Sequence, residues 1–544
     1  MNLLHDAWIP VKRRDSHKRE LIRPCDLTNG IDEDPYHSID AVRPDFKESL
    51  LQFLIGLIQT VMTPTSEVEW VALFRNPPSQ DVLSEAMEKE LEYFELVGDT
   101  VSFMQEPSLH DAKIKPIASL LIDSPGDNTI EMNTDHFVKR DGVKGLCEAC
   151  TATALYTLNV NAPAGGAGIR TSLRGGGPLT AIIIPDGYDK AFDTLWHLVW
   201  LNVLVQKDQE RTQCNSSLIR PEAKYPWIGN IKVSNEKGSE TTAKHIHPFQ
   251  TYWGMPRRIN LIGCKTSIGT CDVCGTENVL LYQYYKSLPW GINYGEGIIH
   301  PLSPYYSDKD GLKLPVHPQP GGFTYRHWPL YIASNSSLNP RPITLQVLDR
   351  RLRDLKKSMV ECGVRVKVSG YDMDNMKARC WYESEMPYWL VPVEIREELV
   401  EHSTRLAESA NAIAKNTNNA VKESWLNPGA KVRGDLSYLE SEFWASTEHE
   451  YYQRIRKCEE LMNHGDIDYQ GMYETWLQYL NRASLRIFDE YAEQVSLDSG
   501  KSKSGIPRVI TARNALIGNN MGKKIREKIL GLPTKPTKKT KEDV

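Results

Sequence analysis

Residues 473–491 read Tyr473-Glu474-Thr475-Trp476-Leu477-Gln478-Tyr479-Leu480-Asn481-Arg482-Ala483-Ser484-Leu485-Arg486-Ile487-Phe488-Asp489-Glu490-Tyr491. Tyr473, Trp476, Leu477, Leu480, Ala483, Ile487, Phe488 and Tyr491 recur at steps of three and four, the period that lays one apolar stripe along a helix. Upstream, Leu399, Leu406, Ile413 and Ala420 repeat every seventh residue, with Ile395 and Ala410 on the same broad face. Between these two segments, Leu436, Leu439, Phe443, Ile455 and Cys458 mark another helix, with Gly465 as its stop. A fourth helix is expected from about Pro507 to Leu530. Four amphipathic helices joined by short polar turns predict a helical bundle. The pattern begins after Pro392, so the bundle is placed at 391–532. Residues 533–544, rich in Pro, Thr and Lys, are expected to be a disordered tail.

Residues 1–390 have another character. Short β-like runs such as Ala181–Ile184 and Val364–Val368 alternate with helical segments and many Gly and Pro residues. The fold class is therefore α+β: a large mixed N-terminal domain with long loops, then a C-terminal four-helix bundle. The loop-rich stretch from about 290 to 345 reads as a contact surface, because long loops in compact domains usually carry function. Leu50–Met62 and Leu195–Val205 are apolar but short and broken by polar residues, so both read as buried helices and no membrane partner is expected.

With 544 residues, 40% hydrophobic and 25% charged, the composition is that of a soluble globular chain. A formal charge of -5 gives no global basic field, so any nucleic acid must be held by local patches or neighbouring subunits. The first residues lack the basic and apolar regions of a secretory signal. Ten cysteines in so long a chain do not make a disulfide scaffold and point to a reducing, cytoplasmic setting.

Three constellations could carry chemistry. Cys147-Glu148-Ala149-Cys150 and Cys271-Asp272-Val273-Cys274-Gly275 are two Cys-x-x-Cys pairs, each able to chelate one ion from a tight turn. Together they would complete a closed, structural four-thiolate zinc site, with Cys264 as reserve ligand. The pairs are about 120 residues apart, far beyond the spacing of a zinc ribbon. A redox dithiol and unrelated core cysteines are the alternatives; zinc is preferred because a thioredoxin-type context is missing. The second constellation is the glycine stretch Pro163–Pro178, including Gly166-Ala167-Gly168, Arg170 and Arg174. It reads equally as a backbone made to lie against a phosphate-bearing ligand and as a flexible connection. The third, His136–Lys144, puts Phe137 beside Lys139 and Arg140, which suits base stacking with phosphate contact, although a short charged loop is more usually just solvated. No hydrolase, kinase or Walker signature is present, so no catalytic residue is assigned.

The motifs, in order, resemble the CasA family, the large subunit of the type I-E CRISPR Cascade complex. The likeness runs through Met1-Asn2-Leu3-Leu4-His5-Asp6-Ala7-Trp8-Ile9-Pro10-Val11, Phe103-Met104-Gln105, Leu146–Ala152, Leu173-Arg174-Gly175-Gly176, Cys271–Gly275, His300–Pro304 and Gly370-Tyr371. The resemblance implies a non-catalytic subunit whose partners are the CRISPR RNA, the other Cascade subunits, target double-stranded DNA and a separate helicase–nuclease. It implies recognition of the protospacer-adjacent motif, initiation of strand separation, and a structural zinc held by Cys147, Cys150, Cys271 and Cys274. Phe137 matches, within a one-residue gap, an aromatic whose loop anchors the subunit to the 5′ handle of the RNA, with Lys139 and Arg140 beside it. Gly166, Ala167 and Gly168 align with a loop that lies against the minor groove. Asn375 and Met376 align with a wedge at the tip of a β-hairpin. The chain departs from the family in two places: Met376 stands where a glutamine is frequent, and Pro289 stands where the minor-groove lysine belongs, leaving Lys286 as the nearest cation. Two readings from other classes compete. One is a zinc-dependent hydrolase using His245, His247 or His300 around an open metal; the other is a general single-stranded nucleic-acid binding protein.

Overall fold

The computed structural model describes residues 1–107, 109, 111–126, 142–329, 333, 341–374, 377–425, 436–464, 468–498 and 505–533. The chain folds into two compact units: Met1–Gln319 with Asn335–Trp389, and Pro320–Ser334 with Leu390–Val544.

In the first unit, β1 (Ile9–Arg13), β2 (Arg19–Ile22) and β3 (Tyr36–Ile39) form a small antiparallel sheet with β1 central. Helices α1 (Pro44–Val61), α2 (Glu67–Arg75) and α3 (Gln80–Glu88) follow. Pro44 opens α1, where the missing N–H costs nothing. From Leu50 to Gln59 every side chain of that helix is buried, so Leu50–Met62 is core, as its apolar run implies. Phe53 of α1 is ringed edge-on by Trp8 (5.3 Å), Tyr156 (5.6 Å) and Trp253 (5.6 Å), an arrangement that suits aromatic quadrupoles. β4 (Lys113–Pro116) precedes α4 (Glu148–Asn161), which packs along α1, and α4 is followed by β5 (Thr180–Pro185). The stretch from Leu195 forms α5 (Leu195–Leu201), also core. No helix among the described residues is long and apolar enough to cross a membrane.

After α6 (Pro221–Lys224), the chain lays down β6 (Arg258–Asn260), β7 (Lys265–Gly269), β8 (Val279–Tyr282) and β9 (Tyr284–Leu288). β4, β9 and β6 make one sheet and β7–β8 a separate ribbon. The pair β10 (Tyr305–Ser307) and β11 (Lys313–Pro315) and helix α7 (Ile343–Lys357) lead to a long hairpin, β12 (Val364–Asp374) and β13 (Lys377–Tyr388). β12 also pairs with β5, with Val366 opposite Ile183, so the hairpin is rooted in a three-stranded sheet. Both β-like runs, Ala181–Ile184 and Val364–Val368, are strands of this one sheet.

The second unit holds α8 (Val393–Trp425), α9 (Ser437–His464), α10 (Tyr469–Asp498) and α11 (Gly505–Asn520), with α8 packed against the other three. Leu399, Leu406, Ile413 and Ala420 all face its core, as their seven-residue repeat requires. The last helix departs from expectation. It ends at Asn520 instead of running to Leu530, turns at Met521 and Gly522, and resumes as a π-helical turn at Lys524–Ile529. The buried Asn520 amide donates to Asn481 Oδ1 (3.1 Å) and Ser484 Oγ (3.0 Å), ties that hold the helix end in place.

Residues 320–334 also depart from a single break near 390, because they cluster with the helices. Tyr325 is the cause: its ring stacks on Tyr451 at 4.3 Å and meets Trp444 edge-on at 4.9 Å. Its hydroxyl lies 2.8 Å from Thr447 Oγ1. Burying so large a ring outweighs its position in sequence. Of the tail expected at 533–544, residues 534–544 lie outside the described residues, as do Phe137, Lys139, Arg140, Asn375 and Met376.

Candidate metal centre and nucleic-acid interface

Cys147 is the N-cap of α4, its sulfur accepting from the Cys150 N–H one turn in. Cys271 and Cys274 stand in a knuckle after β7, closed by Gly275 N–H donating to Cys271 O at 2.9 Å. Gly275 has φ +75 there, a conformation that costs a glycine little. What joins two turns so distant in sequence is backbone pairing. Leu146 exchanges hydrogen bonds with Tyr282 of β8 at 3.0 and 2.8 Å. Asp272 Oδ2 accepts from the backbone N–H groups of Lys144 (2.6 Å) and Gly145 (2.8 Å). The four sulfurs consequently lie within 4.8 Å of one another, with Cys147 and Cys274 3.7 Å apart. A tetrahedral zinc with bonds of about 2.3 Å needs sulfurs roughly 3.8 Å apart, so the donor set fits.

The thiols also polarise one another. Hydrogen bonding with Cys147 and Cys150 pulls Cys271 down to about 6. The bond to Cys147, then those to Cys271 and Cys274, push Cys150 up. A cation at the centre would let all four ionise together. Cys264 is buried, but its sulfur turns to Ile262 O and stays outside the quartet. Asp272 is the structural partner that motif reading missed. An aspartate inside a tight turn is a known acceptor for backbone N–H groups, and that was its signal.

The glycine stretch is a shaped surface. Gly166 and Ala167 are exposed at its crest, and a Cβ on Gly166 would meet open space. Gly168 is buried with φ +79, and a Cβ there would lie 2.8 Å from Pro289 Cβ and 2.9 Å from Trp290 Cδ2. Trp290 N–H donates to Gly168 O at 2.7 Å, so the crest rests on the Pro289–Trp290 corner. The two arginines serve the interior instead of a phosphate. Arg174 is 2% exposed and donates to Thr180 Oγ1 (2.9 Å), Ser303 Oγ (3.1 Å) and Gln52 Oε1 (2.7 Å). Burial lowers its guanidinium to about 10. Arg170 donates to Ser234 Oγ and O at 2.7 and 2.6 Å and lies over the Trp290 ring at 5.2 Å. Lys286 is half-buried on β9, three residues before that same corner, between Ile114 and Asn260 in register.

The hairpin is buried at its root and exposed toward its tip, where Asp374, Lys377, Arg379 and Cys380 meet solvent. Arg379 donates to Asp372 across the strands at 2.7 Å. Histidines proposed for an open metal site have backbone duties. His247 Nδ1 accepts from Phe249 N–H (3.2 Å), and burial lowers its pKa to about 4. His300 Nδ1 accepts from Leu302 N–H at 3.1 Å in the core. His245 caps its own turn, with Thr242 N–H donating to Nδ1 at 3.0 Å.

A family model described as CRISPR-associated protein Cse1 matches residues 2–487. The fold is also found in solved structures. CasA (Cse1) of Thermus thermophilus is 13% identical, with a TM-score of 0.65 over 96% of this chain and 98% of that one. Cse1 of Thermobifida fusca is 14% identical, with a TM-score of 0.63 over 97% and 98%. A chain of a CRISPR RNA-guided surveillance complex is 14% identical, with a TM-score of 0.61 over 95% and 99%.

Proposed function

The chain belongs to the CRISPR-associated Cse1 (CasA) family, and from that membership we propose that it is the large subunit of a type I-E RNA-guided surveillance complex. In this reading it has no catalytic role, works in the cytoplasm, and acts with the CRISPR RNA, the other Cascade subunits, target duplex DNA and a separate helicase–nuclease. The similarity to a chain of a CRISPR RNA-guided surveillance complex supports the CRISPR RNA and the other subunits as partners. The observation that carries the reading is the glycine crest. A side-chain-free, exposed Gly166–Ala167 turn braced by a tryptophan corner offers backbone to a narrow groove without steric obstruction.

Gly166 and Ala167 would contact the minor groove at the adjacent motif, with Gly168 buried beneath them as their support and Lys286 supplying the nearby charge. Pro289, standing where the family has its lysine, serves here as a seat for Gly168. Asn375 and Met376 would form the wedge at the hairpin tip, Met376 acting as an apolar insert between base steps. Phe137, Lys139 and Arg140 would hold the RNA handle by stacking and charge. Cys147, Cys150, Cys271 and Cys274 would bind one structural zinc, which would tie the start of α4 to the β7–β8 ribbon. The helices α8–α11 would be the family's four-helix bundle, a surface toward partner subunits.

Co-expression with a CRISPR RNA and the other subunits tests the reading. The chain should copurify with the RNA-bound core, and Phe137→Ala with Lys139→Ala and Arg140→Ala should weaken that joining by roughly tenfold. A chain that remains apart from the core, or binds single strands regardless of the core and the motif, would overturn it.

A further inference from the structure

The glycine stretch and the hairpin meet at Tyr371. Gly177, at the far end of the stretch, has φ +61, and a Cβ there would lie 2.8 Å from both the Cβ and the carbonyl oxygen of Tyr371. Only a glycine lets the two backbones come this close. On its other side the Tyr371 hydroxyl donates to Asp45 Oδ2 at 2.7 Å. Asp45 is 1% exposed at the start of α1 and is itself gripped by Arg43, which donates to both carboxylate oxygens at 3.0 Å. Trp381 of β13 meets the Tyr371 ring edge-on at 4.9 Å. Four residues nearer the root, Lys367 sits between Glu48 of α1 (3.3 Å) and Glu383 of β13 (3.1 Å).

Apolar side chains carry much of the burial at the hairpin root. Val364, Val366, Val368, Met386 and Tyr388 already bury it. Apolar packing is non-directional, however, and tolerates small slides, whereas a charge-assisted hydrogen bond has one geometry. The tie also stands where burial ends, because beyond Asp372 the strands run into solvent.

We infer that Tyr371 is a positioning residue that sets the hairpin tip against the glycine stretch, so that unpairing starts at a fixed offset from the adjacent motif. This rests on reading the glycine stretch as the motif contact and the tip as the strand-separating element. DNA that pushes back on the tip meets a lever braced by Asp45 below and Gly177 beside it. Asp45 and Gly177 share the role through Tyr371.

The test uses the reconstituted complex and guide-matched duplexes carrying a motif it selects from a randomised library. Each duplex holds one 2-aminopurine at a successive position from that motif. Wild type should give its earliest fluorescence rise beside the motif. Tyr371→Phe should bind the motif normally and stay folded with a small drop in melting temperature, yet unpair roughly tenfold more slowly, the loss of one hydrogen bond to a charged group. Gly177→Ala should spread the earliest rise over neighbouring positions, and Asp45→Asn, which keeps an acceptor, should recover much of the rate lost in Asp45→Ala. A duplex opened beforehand at these positions should rescue Tyr371→Phe. Unpairing by Tyr371→Phe at the wild-type rate, or a loss that persists on the opened duplex, would overturn the inference. Met376→Gly separates the two levels. If Met376→Gly slows unpairing while Tyr371→Phe does not, the inference alone fails; if Met376→Gly unpairs like wild type, the reading of the tip fails and takes the inference with it.

Discussion

The sheet-and-loop unit and the helical unit bury their polar groups in opposite ways. Around the hairpin and glycine stretch, buried polar groups are held from elements distant in sequence: Lys367 by Glu48, Asp45 by Tyr371, and Arg174 within a cage of neutral acceptors. In the helices the buried polar groups are mostly hydroxyls that return to their own backbone. Ser409 donates to Leu406 O (2.8 Å), Thr417 to Ile413 O (2.8 Å) and Thr447 to Phe443 O (2.8 Å). A hydroxyl satisfied within its own turn can be removed singly at small cost. A charge satisfied from another element leaves its partner stranded when it goes. The irregular unit therefore holds its loops with ties that fail sharply, and the regular unit with many that fail gently.

The sharpest break should come at the cysteines. If the quartet holds zinc, metal binding and folding are one equilibrium, worth about 10 kcal/mol or more in zinc-finger peptides. Cys271→Ser should abolish the first unit's calorimetric transition and leave that of α8–α11 in place, and elemental analysis of wild type should find one zinc per chain. A metal-free chain with an unaltered transition would remove the zinc from this account.

Next in size is the buried pair. Lys367→Met should cost about 3–5 kcal/mol in urea unfolding, because Glu48 is left buried and ionisable. Adding Glu48→Gln should recover most of it. If the double variant were as unstable as the single, the paired-charge description of this unit would be wrong. Trp476→Ala is the counterpart in the helices and should cost about 3–5 kcal/mol, chiefly by cavity formation, with the indole N–H bonds to Leu406 O and Ser409 Oγ (both 3.1 Å) lost as well. No second substitution of a charged group should rescue it.

Acid sharpens the contrast. Burial pulls His197 and His247 of the first unit down to about 4, and His300 well below the usual range. In the second unit burial takes His327 down to about 3 and lowers His402 as well. An unfolded imidazole titrates near 6.5, so the unfolded chain binds more protons as pH falls from about 6.5 toward 4. Stability is then full above about pH 6.5 and drops below it, by roughly 3 kcal/mol for His197 at pH 4. Melting followed from pH 7 to 4 should show the first unit losing ground faster; parallel loss in both units would contradict these assignments. The smallest effect belongs to the helices. Tyr325→Phe removes one hydroxyl contact with Thr447 and should cost about 1 kcal/mol, read as a modest shift in the second transition alone.

Legibility in the sequence follows the same divide. The stripe from Tyr473 to Tyr491 and the repeat from Leu399 to Ala420 are local patterns, and the residues that made them are buried except Tyr491, which is half-buried. The end of the last helix at Asn520 was not legible, because the partners of its amide, Asn481 and Ser484, are on another helix. Tyr325 likewise sits in a loop by sequence and in a core by packing. In the first unit the two Cys-x-x-Cys pairs could be seen as ligands from spacing. Their meeting depends on Leu146 pairing with Tyr282 and on Asp272, non-local facts that spacing does not encode. Arg170 and Arg174 looked available for phosphate because composition says nothing of direction, and both turn inward.

The role proposed for this chain, within an RNA-bound complex, is to make duplex binding depend on an adjacent motif. The most direct measurement compares the complex with and without the chain on guide-matched duplexes bearing a randomised adjacent segment. A restricted set of motifs should be enriched only when the chain is present, and replacing Gly166, whose Cβ would meet open space, with a bulky residue should erase the enrichment. A duplex opened beforehand at the first base pairs should leave this variant impaired while rescuing Met376→Gly. Equal binding to every motif with the chain present, or the same motif preference without it, would contradict the account.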